Sequence, residues 1–281
     1  MLSRQSTRGK EKVQMQKNST VFISKSVSDV FYHMKNVSEI QILAGCTQTR
    51  AVAEKSVSLR EIPELNIVEK KERFIEFGSA VTISRMISIG GQKLPHVLAE
   101  ALETIATEPV RNMGTLGGNI CAQDTRHTLW APLAVLNARL ELKSQNETIF
   151  IPFNRFTSVP EKHILTKVRI PLDEWEVEIF KRVGPSSIIT PLSAGFAFLV
   201  DTQRGMIANI RIAYAGRMFF YSPEFENRII GTRLPLSEKT TDLLIAEADA
   251  LYDKQNTGDG CSPILKAQFL NLLRNSFEQL M

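Results

Sequence analysis

Val110-Arg111-Asn112-Met113-Gly114-Thr115-Leu116-Gly117-Gly118-Asn119-Ile120 is the stretch on which the reading of this chain turns. Three glycines, a threonine and two asparagines crowd into a segment whose one charge is Arg111. Glycines let a backbone come close to a ligand and turn its N–H groups inward as an anion-binding nest, and neighbouring Thr and Asn add side-chain donors. A pyrophosphate can be held this way without a cationic side chain. The stretch is neither a strand–GxGxxG–helix fingerprint nor a GxxxxGK[ST] loop, so both standard nucleotide motifs are excluded. A plain tight turn is the competing reading.

A second bend of the same kind lies upstream. Leu43-Ala44-Gly45-Cys46-Thr47-Gln48-Thr49 follows an apolar run at 40–44 that reads as a strand. Before it come a short strand at 21–23 and a helix ending at Asn36, for which Ser26 or Ser28 is the cap and Val30, Phe31, Met34 and Val37 recur at helical spacing. Residues 56–59 form another candidate strand. Residues 67–69 and 73–78 read as a hairpin, Thr82 caps a short helix, and helices are expected at 94–106 and 129–136. A hairpin at 138–142 and 148–151 precedes a strand at 164–170, which Pro171 terminates. The charged Asp173-Glu174-Trp175-Glu176 is the linker candidate. Three antiparallel strands at 178–183, 193–201 and 206–216 follow, then amphipathic helices at 237–252 and 263–280. The pattern is α+β, without regular strand–helix alternation or internal repeats. Arg217-Met218-Phe219-Phe220-Tyr221 is unusually aromatic for a loop, and reads equally as core or as a subunit interface.

Composition removes several function classes. The 281 residues are 43% hydrophobic and 23% charged, ordinary for a globular chain. The net charge of +4 owes much to Arg4, Arg8, Lys10, Lys12 and Lys17, opposed in that region by Glu11 alone. The near-neutral body does not suit nucleic acid. Residues 1–18 read as a mobile polar tail. Cys46, Cys121 and Cys261 are far apart, and the four histidines show no paired spacing, so no metal site is expected. Cys121 reads as a packed thiol, and no residue offers itself as a catalytic acid, base or nucleophile. Apolar runs are too short for a membrane span and there is no secretory leader, so the expected location is cytoplasmic.

The 110–120 stretch resembles the IRNxGTIGGN signature of the FAD-binding medium subunits of xanthine dehydrogenase and carbon monoxide dehydrogenase. Four further segments are similar in the same order: Leu43-Ala44-Gly45-Cys46-Thr47, Ile62-Pro63-Glu64-Leu65, Phe77-Gly78-Ser79-Ala80-Val81-Thr82 and Arg211-Ile212-Ala213-Tyr214-Ala215-Gly216. The resemblance covers residues 19–275. It implies a FAD-binding domain of the vanillyl-alcohol-oxidase-like type over 19–173, with subdomains of about 19–60 and 61–173. It also implies a C-terminal domain over 174–281 with a three-stranded antiparallel sheet and helices.

For the site, the resemblance implies FAD held at Leu43, Ala44, Gly45, Cys46, Thr47 and Gln48 on the first bend. Thr115, Gly117, Gly118 and Asn119 fall on the second, with Asp124, Leu165 and Lys181 nearby. It also implies a molybdenum-cofactor large subunit, a small [2Fe–2S] subunit and an acceptor such as NAD. The chain departs from the pattern twice. Cys46 stands where the family has a second glycine, and Thr128 stands where it has an aspartate. One cofactor hydrogen bond is thereby lost or replaced, and Arg126 and His127 are candidates to meet a phosphate or a partner. These departures define the alternative: a flavin-free scaffold subunit of the same kind of complex.

Overall fold

The computed structural model describes residues 19–49, 51–122, 126, 128–185, 187–257 and 262–281. The tail expected at 1–18, and the candidates Asp124, His127 and Cys261, lie outside the described residues.

The chain begins with β1 (Thr20–Ile23), α1 (Val27–Asn36), β2 (Gln41–Leu43) and β3 (Lys55–Ser58). The strands form a parallel sheet in the order β1-β3-β2. Ser26, not Ser28, caps α1. Its hydroxyl accepts from the Asp29 N–H while the Asp29 carboxylate accepts from the Ser26 N–H, a reciprocal box of a type contributing about 1 kcal/mol. Val30 and Val57 are fully buried between helix and sheet.

There follow β4 (Val68–Lys70), β5 (Phe74–Gly78), α2 (Ile83–Ser88), α3 (His96–Glu103), α4 (Glu108–Met113), α5 (Leu116–Ile120), α6 (Trp130–Val135), β6 (Arg139–Lys143), β7 (Thr148–Pro152) and β8 (Ile164–Pro171). The five strands make an antiparallel sheet in the order β4-β5-β8-β6-β7. The 110–120 stretch is more helical than its glycines suggest. Pro109 suits the first turn of α4, and Thr115 caps α5 by accepting the Gly118 N–H at 3.0 Å.

The rest comprises β9 (Val177–Val183), β10 (Ala194–Gln203), β11 (Met206–Gly216), β12 (Phe219–Tyr221), α7 (Pro223–Ile229), α8 (Glu238–Gln255) and α9 (Pro263–Glu278). Their sheet has four strands, β12-β11-β10-β9, not the three expected. The extra strand is the aromatic 217–221 run, which alternation divides: Met218 and Phe220 enter the core under α7–α9, while Phe219 and Tyr221 pack toward the opposite face. That opposite face, through Phe180, Ala197, Leu199, Ala213 and Ala215, shares one continuous core with α3, α6 and the five-stranded sheet.

Candidate functional site

The first bend leaves β2 at Leu43 and passes through Cys46, whose φ of 56° is left-handed. Among the described residues, the N–H groups of Ala44, Gly45, Cys46, Thr47 and Gln48 donate to no protein acceptor. Leu43 and Gly45 are buried and residues 46–49 exposed, so the bend has an anchored base and an open rim. Successive amides freed around a left-handed residue are the ingredients of an anion nest.

The second bend is packed directly against the first. A Cβ at Gly45 would fall 2.0 Å from the Met113 carbonyl oxygen and 3.0 Å from the Gly114 Cα, so only glycine permits the approach. A Cβ at Gly114 would in turn meet Thr47 Oγ1 at 3.4 Å. The bends expected to converge do so.

Their chemistry differs. In the second bend the Gly114 N–H donates to Val110 (2.7 Å), Leu116 to Val81 (2.9 Å), Gly117 to Ser79 (2.8 Å), Gly118 to Thr115 Oγ1 and Asn119 to the Thr115 carbonyl (3.0 Å). These amides are spent inside the protein. Gly117 is required for a different reason from ligand approach: a Cβ there would lie 2.8 Å from the Ser79 carbonyl oxygen. The Asn119 side-chain oxygen accepts the Leu129 N–H at 3.3 Å, tying the bend to the start of α6. Thr115 and Asn119 are both buried, and Gly118 is exposed.

The other candidates are distributed unevenly. Leu165 is buried in β8 opposite Leu142, and the carbonyl of its neighbour Thr166 accepts the Ser79 N–H at 2.9 Å, beside Gly117. Lys181 is exposed on β9. Its alternation partners Ile179 and Val183 face the α8–α9 core, so Lys181 projects to that side. Arg182 takes the opposite face, where its guanidinium donates to the Thr128 hydroxyl and to the Pro185 carbonyl at 3.0 Å. Thr128 is thus buried and engaged by an arginine that sequence reasoning passed over. Cys121 is exposed rather than the packed thiol expected, although desolvation pushes its thiol up to about 12. Ser79 and Val81 were also missed as partners of the second bend, although they lie in the quoted 77–82 segment.

Two concavities lie elsewhere. One of about 280 Å³ is lined by Ile87, Leu94, His96 and Glu103; the other, of about 420 Å³, is lined by Phe31, Tyr32, Lys35 and Gln145. Neither touches a bend. Among the described residues no cluster of His, Cys, Asp or Glu could hold a metal ion, and no helix is long and apolar enough to cross a membrane.

Two glycine bends set edge to edge between a small parallel sheet and a larger antiparallel one define an α+β cofactor-domain architecture. The chain belongs to the family described as the FAD binding domain in molybdopterin dehydrogenase, whose model matches residues 14–173. It is 34% identical over 109 residues to the xanthine dehydrogenase FAD-binding subunit of Escherichia coli O157:H7, covering 38% of this chain and 37% of that protein. It is 29% identical over 180 residues to aldehyde oxidase 1 of Bos taurus, covering 57% of this chain but 13% of that protein. The fold is similar to a chain of carbon monoxide dehydrogenase from Hydrogenophaga pseudoflava, with a TM-score of 0.82 and 19% identity over 94% of this chain and 97% of that one. The match therefore spans well under half of these curated relatives, whereas the structural likeness spans nearly all of both chains.

Proposed function

We propose that this chain is the FAD-carrying electron-transfer subunit of a multi-subunit molybdenum hydroxylase, passing electrons from a [2Fe–2S] partner to an acceptor such as NAD. A separate molybdenum subunit would hydroxylate the substrate, in the cytoplasm. The observation that carries this reading is the row of amides at 44–48 with no acceptor among the described residues, packed on a second glycine bend in a chain of the FAD-binding family.

On this reading the amides of Ala44, Gly45, Cys46, Thr47 and Gln48 receive the diphosphate over a floor made by Leu43. Thr115 and Asn119 flank it, and Gly117 and Gly118 keep the second bend low. Asp124, Leu165 and Lys181 complete the set implied by the sequence resemblance, and residues 19–173 act as the cofactor-binding domain with 174–281 as its companion. FAD, when bound, supplies the ability to exchange electrons singly and in pairs. The chain's own residues bind, orient and exclude water; none is assigned as an acid or base.

A second reading, a flavin-free scaffold, is favoured by two observations. Cys46 adds a side chain to the open bend, and Thr128 is already occupied by Arg182. Titrating the purified full chain with FAD decides between them. Flavin absorption retained through gel filtration supports the redox subunit, and its absence at saturating FAD supports the scaffold.

A further inference from the structure

We propose that the surface around Arg126 is a docking site for a carboxylate-bearing segment of a protein partner. The proposal rests on the reading of this chain as one subunit of a complex, but it concerns residues outside the cofactor bends.

The Arg126 guanidinium carbon lies 4.6 Å from the Phe219 ring centre and 5.2 Å from that of Trp130. The rings hold the group in place without neutralising it. Among the described residues no acceptor meets any of its N–H groups; its Nε is buried, and desolvation lowers its pKa. Other arginines of this chain are matched: Arg169 with Glu76, Arg228 with Glu247 and Arg274 with Asp242. Arg217, two residues before Phe219, is exposed, as is Arg155, and neither meets a carboxylate among the described residues. Arg155 adjoins Asn154, whose amide donates to the Tyr221 hydroxyl at 3.1 Å. Arg126 therefore lies against one buried ring and one half-buried ring, and among the described residues no acid pairs with Arg126, Arg155 or Arg217.

The adjoining sheet edge is closed to an added strand. The Asn256 side chain accepts from the Phe219 N–H at 3.0 Å and donates to its carbonyl at 2.9 Å. Gln255 treats Tyr221 in the same way, at 3.2 and 3.0 Å. With β12 sealed, recognition here falls to side chains. A half-desolvated guanidinium fork is matched by the planar carboxylate of Asp or Glu, and the ring edges beside it by flanking apolar atoms. A nucleic acid would call for a longer cationic stripe than this one fork.

The test uses the full chain carrying Trp175→Phe, so that Trp130, under Arg126, is the sole indole reporter. A short glutamate-rich peptide should change its emission saturably. Arg126→Gln should weaken that binding on the order of tenfold, and adding Arg217→Gln should weaken it further, while Arg126→Lys, which keeps the charge but loses the flat fork, falls between. A titration without saturation, a response unchanged in Arg126→Gln, or inorganic phosphate binding as tightly as the peptide at matched ionic strength would each overturn the proposal. FAD binding is measured on the same samples: its absence from the parent chain sinks the cofactor reading alone, whereas the peptide titration decides the docking surface.

Discussion

The two glycine bends touch, and each lies in a segment that resembles the family's, yet their backbones are used in opposite ways. Among the described residues the first leaves its amides at 44–48 without protein acceptors; the second spends its amides at 114 and 116–119 on Val110, Val81, Ser79 and its own cap. Glycine serves approach between bends at position 45 and helix–strand packing at position 117. The difference teaches that glycine density locates a close approach but does not say what approaches. Only following each N–H to its acceptor separates a ligand cradle from a packing device.

The comparison breaks most visibly at Gly45. Gly45→Ala places a methyl 2.0 Å from a backbone carbonyl that no rotamer change can move. We expect a stability loss of about 3 kcal/mol by denaturant unfolding, at the upper end for overpacking, and FAD affinity reduced on the order of a hundredfold, equivalent to about 2.7 kcal/mol. A variant that keeps both would show that the bends are not coupled. Gly117→Ala meets Ser79 at 2.8 Å and should cost about 2 kcal/mol of stability. Because its N–H already serves Ser79, FAD affinity of the folded fraction should stay within about threefold of the parent, a shift below 1 kcal/mol. Equal losses of affinity in the two variants would erase the distinction between the bends.

Thr115→Val removes the hydroxyl that accepts from Gly118, a cap whose loss typically costs about 1 kcal/mol, measurable as a lower unfolding midpoint. Cys46→Gly acts in the other direction. The left-handed φ of 56° costs a side-chain residue about 1 kcal/mol, partly offset by the greater chain entropy of glycine. Stability should rise by about 0.5 kcal/mol and FAD should bind more tightly. Looser binding in that variant would mean that the cysteine side chain itself contacts the cofactor.

Much of the fold was legible because period and punctuation agreed. A capping serine at 26 or 28 marked the start of α1, which the structure assigns to Ser26, and Pro171 the end of β8. The fourth strand of the last sheet was not legible, because three residues of aromatic alternation look like a loop until Phe220 is seen in a core supplied by nearby Phe225 and by Phe269 far along the chain. The meeting of the bends was legible from the family resemblance. The spent amides of the second were not, since their acceptors Ser79 and Val81 lie more than thirty residues upstream. Position 181 marks another limit. Adjacent basic residues Lys181 and Arg182 are equivalent in a string, and only strand alternation sends Arg182 to Thr128 and Lys181 to the opposite face.

Gly118→Ala should have the smallest effect and gives the sharpest comparison of the bends. The residue is exposed, its N–H is already given to the Thr115 hydroxyl, and a Cβ would meet that same hydroxyl at 3.0 Å. Two modest effects oppose each other. Alanine is favoured over glycine in a helix by about 1 kcal/mol, and the cap must yield by a few tenths of an ångström to admit it. The net change should lie within about 0.5 kcal/mol, with flavin titrations overlaying the parent chain. If instead FAD binding collapses while the unfolding midpoint holds, the exposed edge of the second bend must itself lie against the cofactor. The division between an open bend and a closed one would then fail at Gly118, the exposed glycine of the second bend.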